Sequence, residues 1–373
     1  LTYIGHETAN GVPLVLETTS DTELMNNPRA SVQQVYGRIM EDLDEAITLL
    51  TGASARADKA EISVEVAYGL RARANLLMGK WAAAASDAAK AYGTSAPYSV
   101  ADVSQPTFYN ATDNAWIWGI VVTTEDYLAK TGIVNWPSNL CSLTGMGYTT
   151  AASATDVAYR LINKNLWAKI PETDVRKGWW VDEDLHSPVL DNGLGEDYAY
   201  YWANGMFNGG TFPSKFSPYT NVKFGPDNGT FADTDNAQDW PLMRVEEMKL
   251  IEAEALGRDN LATGKQKLEE FVRQYRDPSY TCTAGSLDAF IDEVWFQRRV
   301  ELWGEGFALF DILRLKKPII RQGANYPINS TFAEIAAEAP IMIYRIPEAE
   351  TSVNSAITEA DNNPAAMAPT PVN

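Results

Sequence analysis

The chain has 373 residues, 45% of them hydrophobic and 40 of them aromatic (11 Trp, 17 Tyr, 12 Phe), which is enough to bury a large interior and excludes a wholly disordered chain. Thirty basic residues against 49 acidic ones give a net charge of −19, a field that repels phosphate backbones and argues against nucleic-acid binding or docking on anionic membranes through a basic patch. With two cysteines (Cys141, Cys282) and two histidines (His6, His186), a Cys-rich zinc site, a haem-attachment motif and a disulfide framework are also excluded. The two cysteines read as ordinary semi-buried thiols, with a single bridge between them left open. Apolar stretches such as 115–122 are too short to span a bilayer.

In chain order, residues 31–50 read as an amphipathic helix. Ser31 with Gln34 is a capping-box pattern, and Val32, Val35, Tyr36, Ile39, Leu43, Ile47 and Leu50 recur at three- and four-residue steps. A second helix is expected at about 62–78 and a third at about 81–92, broken at Gly79-Lys80-Trp81. Small residues at Ala72, Gly79, Ala84 and Ala88 let two antiparallel helices approach closely, the logic of a tetratricopeptide hairpin. After Trp240-Pro241 helical patterns return over 242–256, 261–275, 287–302 and 307–315. The tail from Ala360 reads as extended.

The stretch 94–240 differs. It holds 23 of the 40 aromatics in 147 positions and most of the Gly-Asn-Asp-Ser-Pro punctuation, so it is a specialised segment rather than a linker. A buried strand is expected over 114–122 and one more helix over 154–168, the rest being loops held on a rigid frame. The fold class is therefore mainly α: a tetratricopeptide-like hairpin scaffold (1–93 and 241–373) with a long loop-rich insertion (94–240) inside a single domain.

Several separated motifs resemble one family. They are Gly11-Val12-Pro13-Leu14-Val15, Arg29-Ala30-Ser31, Asp42-Leu43-Asp44-Glu45-Ala46, Ala67-Tyr68-Gly69-Leu70-Arg71-Ala72-Arg73, Asp174-Val175-Arg176, and Arg244-Val245-Glu246-Glu247 running to Glu252-Ala253-Glu254-Ala255. The most specific is Arg298-Arg299-Val300-Glu301-Leu302-Trp303-Gly304-Glu305-Gly306 with Phe310-Asp311-Ile312-Leu313-Arg314, followed by Ile346-Pro347-Glu348-Ala349-Glu350, Val353-Asn354 and Asn362-Asn363-Pro364. In this order, over nearly the whole chain, they resemble SusD/RagB-type proteins. The chain departs from the family at Gln297, where Glu is usual, and at Ala308, where Arg is usual. The resemblance implies a non-catalytic cell-surface lipoprotein of the outer membrane. Such a protein binds oligosaccharides, less often peptides, and delivers them to a SusC-type TonB-dependent transporter. It implies no cofactor, and an N-terminal segment with an export signal and a lipid-modified cysteine that is not in this chain, so that the first hairpin is incomplete. Family members vary in their ligand residues, and none is carried over.

Glycan binding needs aromatic faces for the C–H side of a sugar and planar polar groups for its hydroxyls. Tyr198, Tyr200, Tyr201 and Trp202, flanked by Asp197 and Asn204, form the best candidate platform; anchoring of the insertion onto the helices is the competing reading. Trp136 lies among amide-bearing neighbours and is open to either role. Trp179 and Trp180 should point to opposite faces of a strand, so at most one, taken as Trp180, meets a ligand. Trp116 and Trp118, two apart on a strand, read as one core-facing pair, and Trp295 and Trp303 as packing. Arg298, Arg299, Glu301, Glu305, Asp311 and Arg314 read as structural ion pairs that fasten the last helices. The acidic runs Asp182-Glu183-Asp184 and Asp227-Asn228-Gly229 lack the spacing and closing Glu of a calcium loop, and no metal or catalytic residue is assigned. The alternatives are a peptide-binding RagB-like receptor, a glycoside hydrolase on a helical scaffold, and a helical-repeat adaptor that binds only proteins.

Overall fold

The computed structural model describes residues 2–131, 136–145, 159–206, 215–367 and 369–372. The chain opens with β1 (Asn10–Pro13), which pairs antiparallel with β2 (Arg29–Ser31). Helix α1 (Val32–Leu50) follows directly and is closed by the expected capping box: the Ser31 amide donates to Gln34 Oε1 at 2.8 Å and the Gln34 amide to Ser31 Oγ at 3.2 Å. Arg29 donates to the carbonyls of Gly11 and Asp361, both at 2.7 Å, and Asn354 Nδ2 to the carbonyl of Asn27. The C-terminal tail is thus pinned on the N-terminal hairpin.

Helices α2 (Val64–Leu77) and α3 (Trp81–Tyr92) form the expected hairpin, turning at Gly79 with φ +72°. Ala72, Ala84 and Ala88 are fully buried between them, and the bidentate pair of Arg71 with Asp87, two bonds of 2.8 Å, ties the two helices. Strand β3 (Trp116–Ile120) then pairs antiparallel with the much later β4 (Trp240–Arg244). Its register is irregular between Trp116 and Trp118, which corrects the expectation of one shared face. Trp116 is buried in the aromatic core of the insertion, while Trp118 packs with the helical hairpin and donates to the Ala60 carbonyl.

Among the described residues the insertion carries short helices at Val100–Val103 and Tyr127–Thr131 and, framing the site, α4 (Trp136–Leu140), α5 (Lys164–Trp167), α6 (Pro188–Leu194) and α7 (Glu196–Ala203). Of the helix expected over 154–168 only α5 forms, and residues 154–158 lie outside the described residues. Between these helices the chain is held by isolated backbone pairings, such as Val222 to Trp179, Val181 to Thr220 and Asn221 to Arg160. Loop backbone this deep stays paired because a buried, unbonded amide is costly.

After β4 come α8 (Val245–Asp259), α9 (Leu261–Tyr275), α10 (Leu287–Glu301) and α11 (Ala308–Arg314). Helix α8 packs on the α2–α3 hairpin through Met248, Ile251 and Ala255, so the two ends of the chain share one core. It meets α9 at a glycine crossing, where a Cβ added to Gly264 would stand 2.3 Å from the Gly257 Cα. Backbone, unlike the end of a flexible side chain, cannot give way. Gly264→Val is therefore expected to destabilise by about 2–3 kcal/mol, read as a lower urea midpoint at unchanged slope.

The insertion is bolted to this scaffold by a buried ion cluster with four cations (Arg176, Lys223, Arg244, Arg276) and four carboxylates (Asp174, Glu246, Glu301, Glu305). Glu301 is its centre: Arg276 donates to both its oxygens at 2.8 and 2.9 Å, Arg244 at 3.3 Å and Arg176 at 3.4 Å. Arg176 also donates to the Gln297 carbonyl oxygen at 2.5 Å. Lys223 spends all three N–H bonds on the Glu301 and Trp303 carbonyls and Glu305, at 2.8, 2.9 and 2.6 Å, inside a cage of Phe108, Trp179 and Phe224 rings. Burial pushes its pKa down to about 8, yet three satisfied acceptors keep it an ammonium at neutral pH.

Candidate functional site

Helix α7 starts at Gly195 with Glu196 and Asp197 in its first turn, where acids complement the exposed amides. Its buried face carries Ala199, Trp202 and Ala203. Steps of about 100° then fan Tyr198, Tyr200 and Tyr201 across the opposite face, where they are 58%, 58% and 47% exposed. The Tyr200 and Tyr201 rings meet edge to face at 6.0 Å, and Asn204 Nδ2 donates to the Tyr200 carbonyl.

Two of the sequence candidates do not belong to this face. Trp202 is 1% exposed: its Nε1 donates to the Ser142 carbonyl at 3.2 Å and its ring stands at 90° to Phe231. The cluster was expected in a loop, where neighbours can point alike; on a helix Trp202 is carried to the core side. Trp180 is likewise 1% exposed, packed between Trp179 at 6.1 Å and Trp303 at 5.6 Å. The pair does not sit on one strand as expected: Trp179 closes a 3-10 helix (Val175–Trp179), Trp180 follows it in extended backbone, and both indoles are buried. Trp136 opens α4 and is 49% exposed, with one edge against Trp240 at 5.2 Å. Asn135 before it lies outside the described residues.

Hydrogen bonds connect these pieces through the buried side of α7. Trp202 anchors α7 to the turn after α4, and the loop 227–239 joins that turn through the Ala232 amide to the Leu143 carbonyl and the Gly145 amide to the Asp233 carbonyl, 3.1 and 2.6 Å. The arrangement is an exposed tyrosine face, a half-exposed indole and an acidic loop. It offers stacking surfaces and hydrogen-bond acceptors, the chemistry that holds a polyhydroxylated ring. Among the described residues no group of three or more His, Cys, Asp and Glu is placed to hold a metal ion. Cys141 and Cys282 are both buried and are not bridged to each other.

The charged motif residues are engaged elsewhere. Besides the cluster around Glu301, Arg298 donates to Asp311 at 2.8 Å, and Arg314 to Asp311 and Glu254 at 2.7 and 2.6 Å. Burial would raise the Glu254 carboxyl, but Arg314 and its neighbours hold it down at about 2. Two clefts flank the insertion, one of about 480 Å³ beside Trp167, Lys177 and Trp180 and one of about 560 Å³ between α10, α11 and α5. Sequence reasoning did not anticipate either, because their walls come from residues far apart in the chain, 104–192 in the first and 161–326 in the second.

A sequence model described as the SusD family matches residues 149–364, more than half of the chain. The chain belongs to the SusD family. Solved structures agree on the fold. A SusD-like carbohydrate binding protein from Bacteroides vulgatus is 22% identical with a TM-score of 0.71, covering 96% of this chain and 72% of its own. A SusD superfamily protein from Bacteroides thetaiotaomicron is 20% identical with a TM-score of 0.69, covering 98% and 73%. Another from Bacteroides vulgatus is 23% identical at 0.70, with 98% and 73% covered. No curated protein matches the chain. The SusD membership accounts for the scattered motifs: Asp174 and Arg176, Arg244 and Glu246, and Glu301 and Glu305 come from three separate stretches and meet in one buried ion cluster. Among the described residues no helix is long and apolar enough to cross a membrane.

Proposed function

We propose that this SusD-family protein captures oligosaccharides at the outer surface of the bacterial outer membrane and hands them to a SusC-type TonB-dependent transporter, without cleaving them. The observation that carries the reading is the fan of Tyr198, Tyr200 and Tyr201 on the exposed side of α7, on a fold shared with a protein described as carbohydrate binding. Three phenol rings in water are a poor arrangement for stability and a good one for stacking on sugars. The rings are held in place by a rigid frame, so binding requires little reordering and tolerates a shallow site. A non-catalytic role is supported by the buried carboxylates Asp174, Glu246, Glu254, Glu301, Glu305 and Asp311, each of which is bound to Arg or Lys and spent on holding the frame.

The reading is tested by electrophoresis of the purified protein through gels containing a panel of neutral polysaccharides, with reducing ends measured on the same mixtures. Retardation by a glycan without release of reducing ends is expected. Release of reducing ends would replace binding by glycoside hydrolysis, and retardation by none would remove glycan capture.

A further inference from the structure

The larger cleft, about 560 Å³, has a charge that runs against the rest of the molecule. It lies between the C-terminal half of α10, the start of α11, the turn around Tyr326 and the 161–169 segment of the insertion. Its walls are pinned: Asn325 accepts from the Lys164 amide at 2.9 Å and donates to the Ile162 carbonyl at 3.0 Å, and Asn165 donates to the Gly323 carbonyl at 3.2 Å. Arg298 is 4% exposed; its Nε is bound to Asp311, but its Nη1 has no hydrogen-bond partner among the described residues. Trp295 Nε1, in the same wall, is buried without a partner as well. Arg299 stacks over the Trp295 ring at 4.8 Å. Among the described residues neither Arg299 nor Lys169, both lining the cleft, has a carboxylate within ion-pair distance.

The local charge count follows. The charged lining is Lys169, Arg298, Arg299 and Asp311, and with Arg298 paired to Asp311 two positive charges, Arg299 and Lys169, are in excess. In a chain of net charge −19, a half-enclosed pocket with this surplus is a site for an anion, because desolvated guanidinium groups without counterions are costly until something negative arrives. The pocket is too large for a bare inorganic ion, and Trp295, Trp303 and Tyr326 add aromatic walls beside the cations.

We propose that this cleft binds an acidic sugar residue, its carboxylate held by Arg299 and Lys169 and its ring laid against the Trp295 and Trp303 walls. The proposal rests on the glycan-capture reading for the sugar but not for the anion, and it assigns a second subsite apart from the tyrosines of α7. It also sets a specificity: the overall negative field favours neutral glycans, and this cleft admits an acidic unit within them.

The test is calorimetric titration at low ionic strength with a galacturonic acid trisaccharide and with the matching galactose trisaccharide, on the wild type and on Arg299→Gln and Lys169→Gln. The acidic sugar is expected to bind the wild type at least about tenfold more tightly than the neutral one, and each substitution to remove about tenfold of that preference. Added salt should weaken only the acidic sugar. Equal affinity for the two sugars, or a preference that survives both substitutions, would overturn the proposal; so would acetate competing as well as the acidic sugar, which would make the cleft a free-anion site. Lys169 is exposed, so its variant decides the matter even where Arg299→Gln lowers the melting temperature. Failure here with intact retardation on neutral polysaccharide leaves the α7 face standing. Loss of that retardation with the acid preference intact does the reverse.

Discussion

Glu301→Gln is expected to lower stability by about 3–5 kcal/mol, seen as a shift of the urea midpoint to lower concentration. Glu301 is wholly buried and is shared by Arg176, Arg244 and Arg276. The cluster balances four cations with four carboxylates, and neutralising its centre leaves a guanidinium buried without its counterion. The same residues set the acid limit. Burial alone would raise the Glu301 and Glu305 carboxyls, but Arg276 and Arg244 respectively, with their neighbours, hold both below the ordinary value of 4.5. Acids depressed in the folded state contribute stability that is complete above pH 4.5 and is lost as pH falls through their folded values. The wild type should therefore lose stability steeply below about pH 4, and Glu301→Gln should lose part of that slope because one of the depressed acids is gone.

The second large effect separates the two faces of α7. Trp202→Ala is expected to cost about 3–5 kcal/mol, because it removes a fully buried indole and the Ser142 hydrogen bond and leaves a cavity. Tyr201→Ala, one residue earlier but on the exposed side, should change stability by only about 0.5 kcal/mol. Thermal melts of the two variants side by side check this. A Trp202→Ala protein that melted like the wild type would mean that the helix is rotated from the described orientation.

Much of the scaffold was legible because helices announce themselves locally. The Ser31–Gln34 cap, the Gly79 turn and the small-residue seam at Ala72, Ala84 and Ala88 are each decided within a few residues. The aromatic enrichment of 94–240 likewise marked the segment that carries the tyrosine face. What misled was orientation. Tyr198 to Trp202 were read as a loop cluster, and a helix sends Trp202 inward; β3 pairs with a strand more than a hundred residues later through an irregular register, which splits Trp116 from Trp118. Strand alternation does not apply to Trp179 and Trp180, because a 3-10 helix ends at Trp179 and both indoles are buried. The clefts were invisible because their walls are joined only by tertiary packing. Family resemblance supplied the ion-pair motifs but no ligand residue, because the shared motifs turn out to hold the frame together.

The central claim is that the exposed face of α7 holds the glycan. Its most direct test is calorimetric titration of a triple variant, Tyr198→Ala with Tyr200→Ala and Tyr201→Ala, against the polysaccharide that retards the wild type. Affinity at least about tenfold weaker, with a melting temperature lowered far less than by Trp202→Ala, is the predicted result, since stacking is lost while the buried face is untouched. Wild-type affinity in the folded triple variant would contradict the account and move the binding site off this helix.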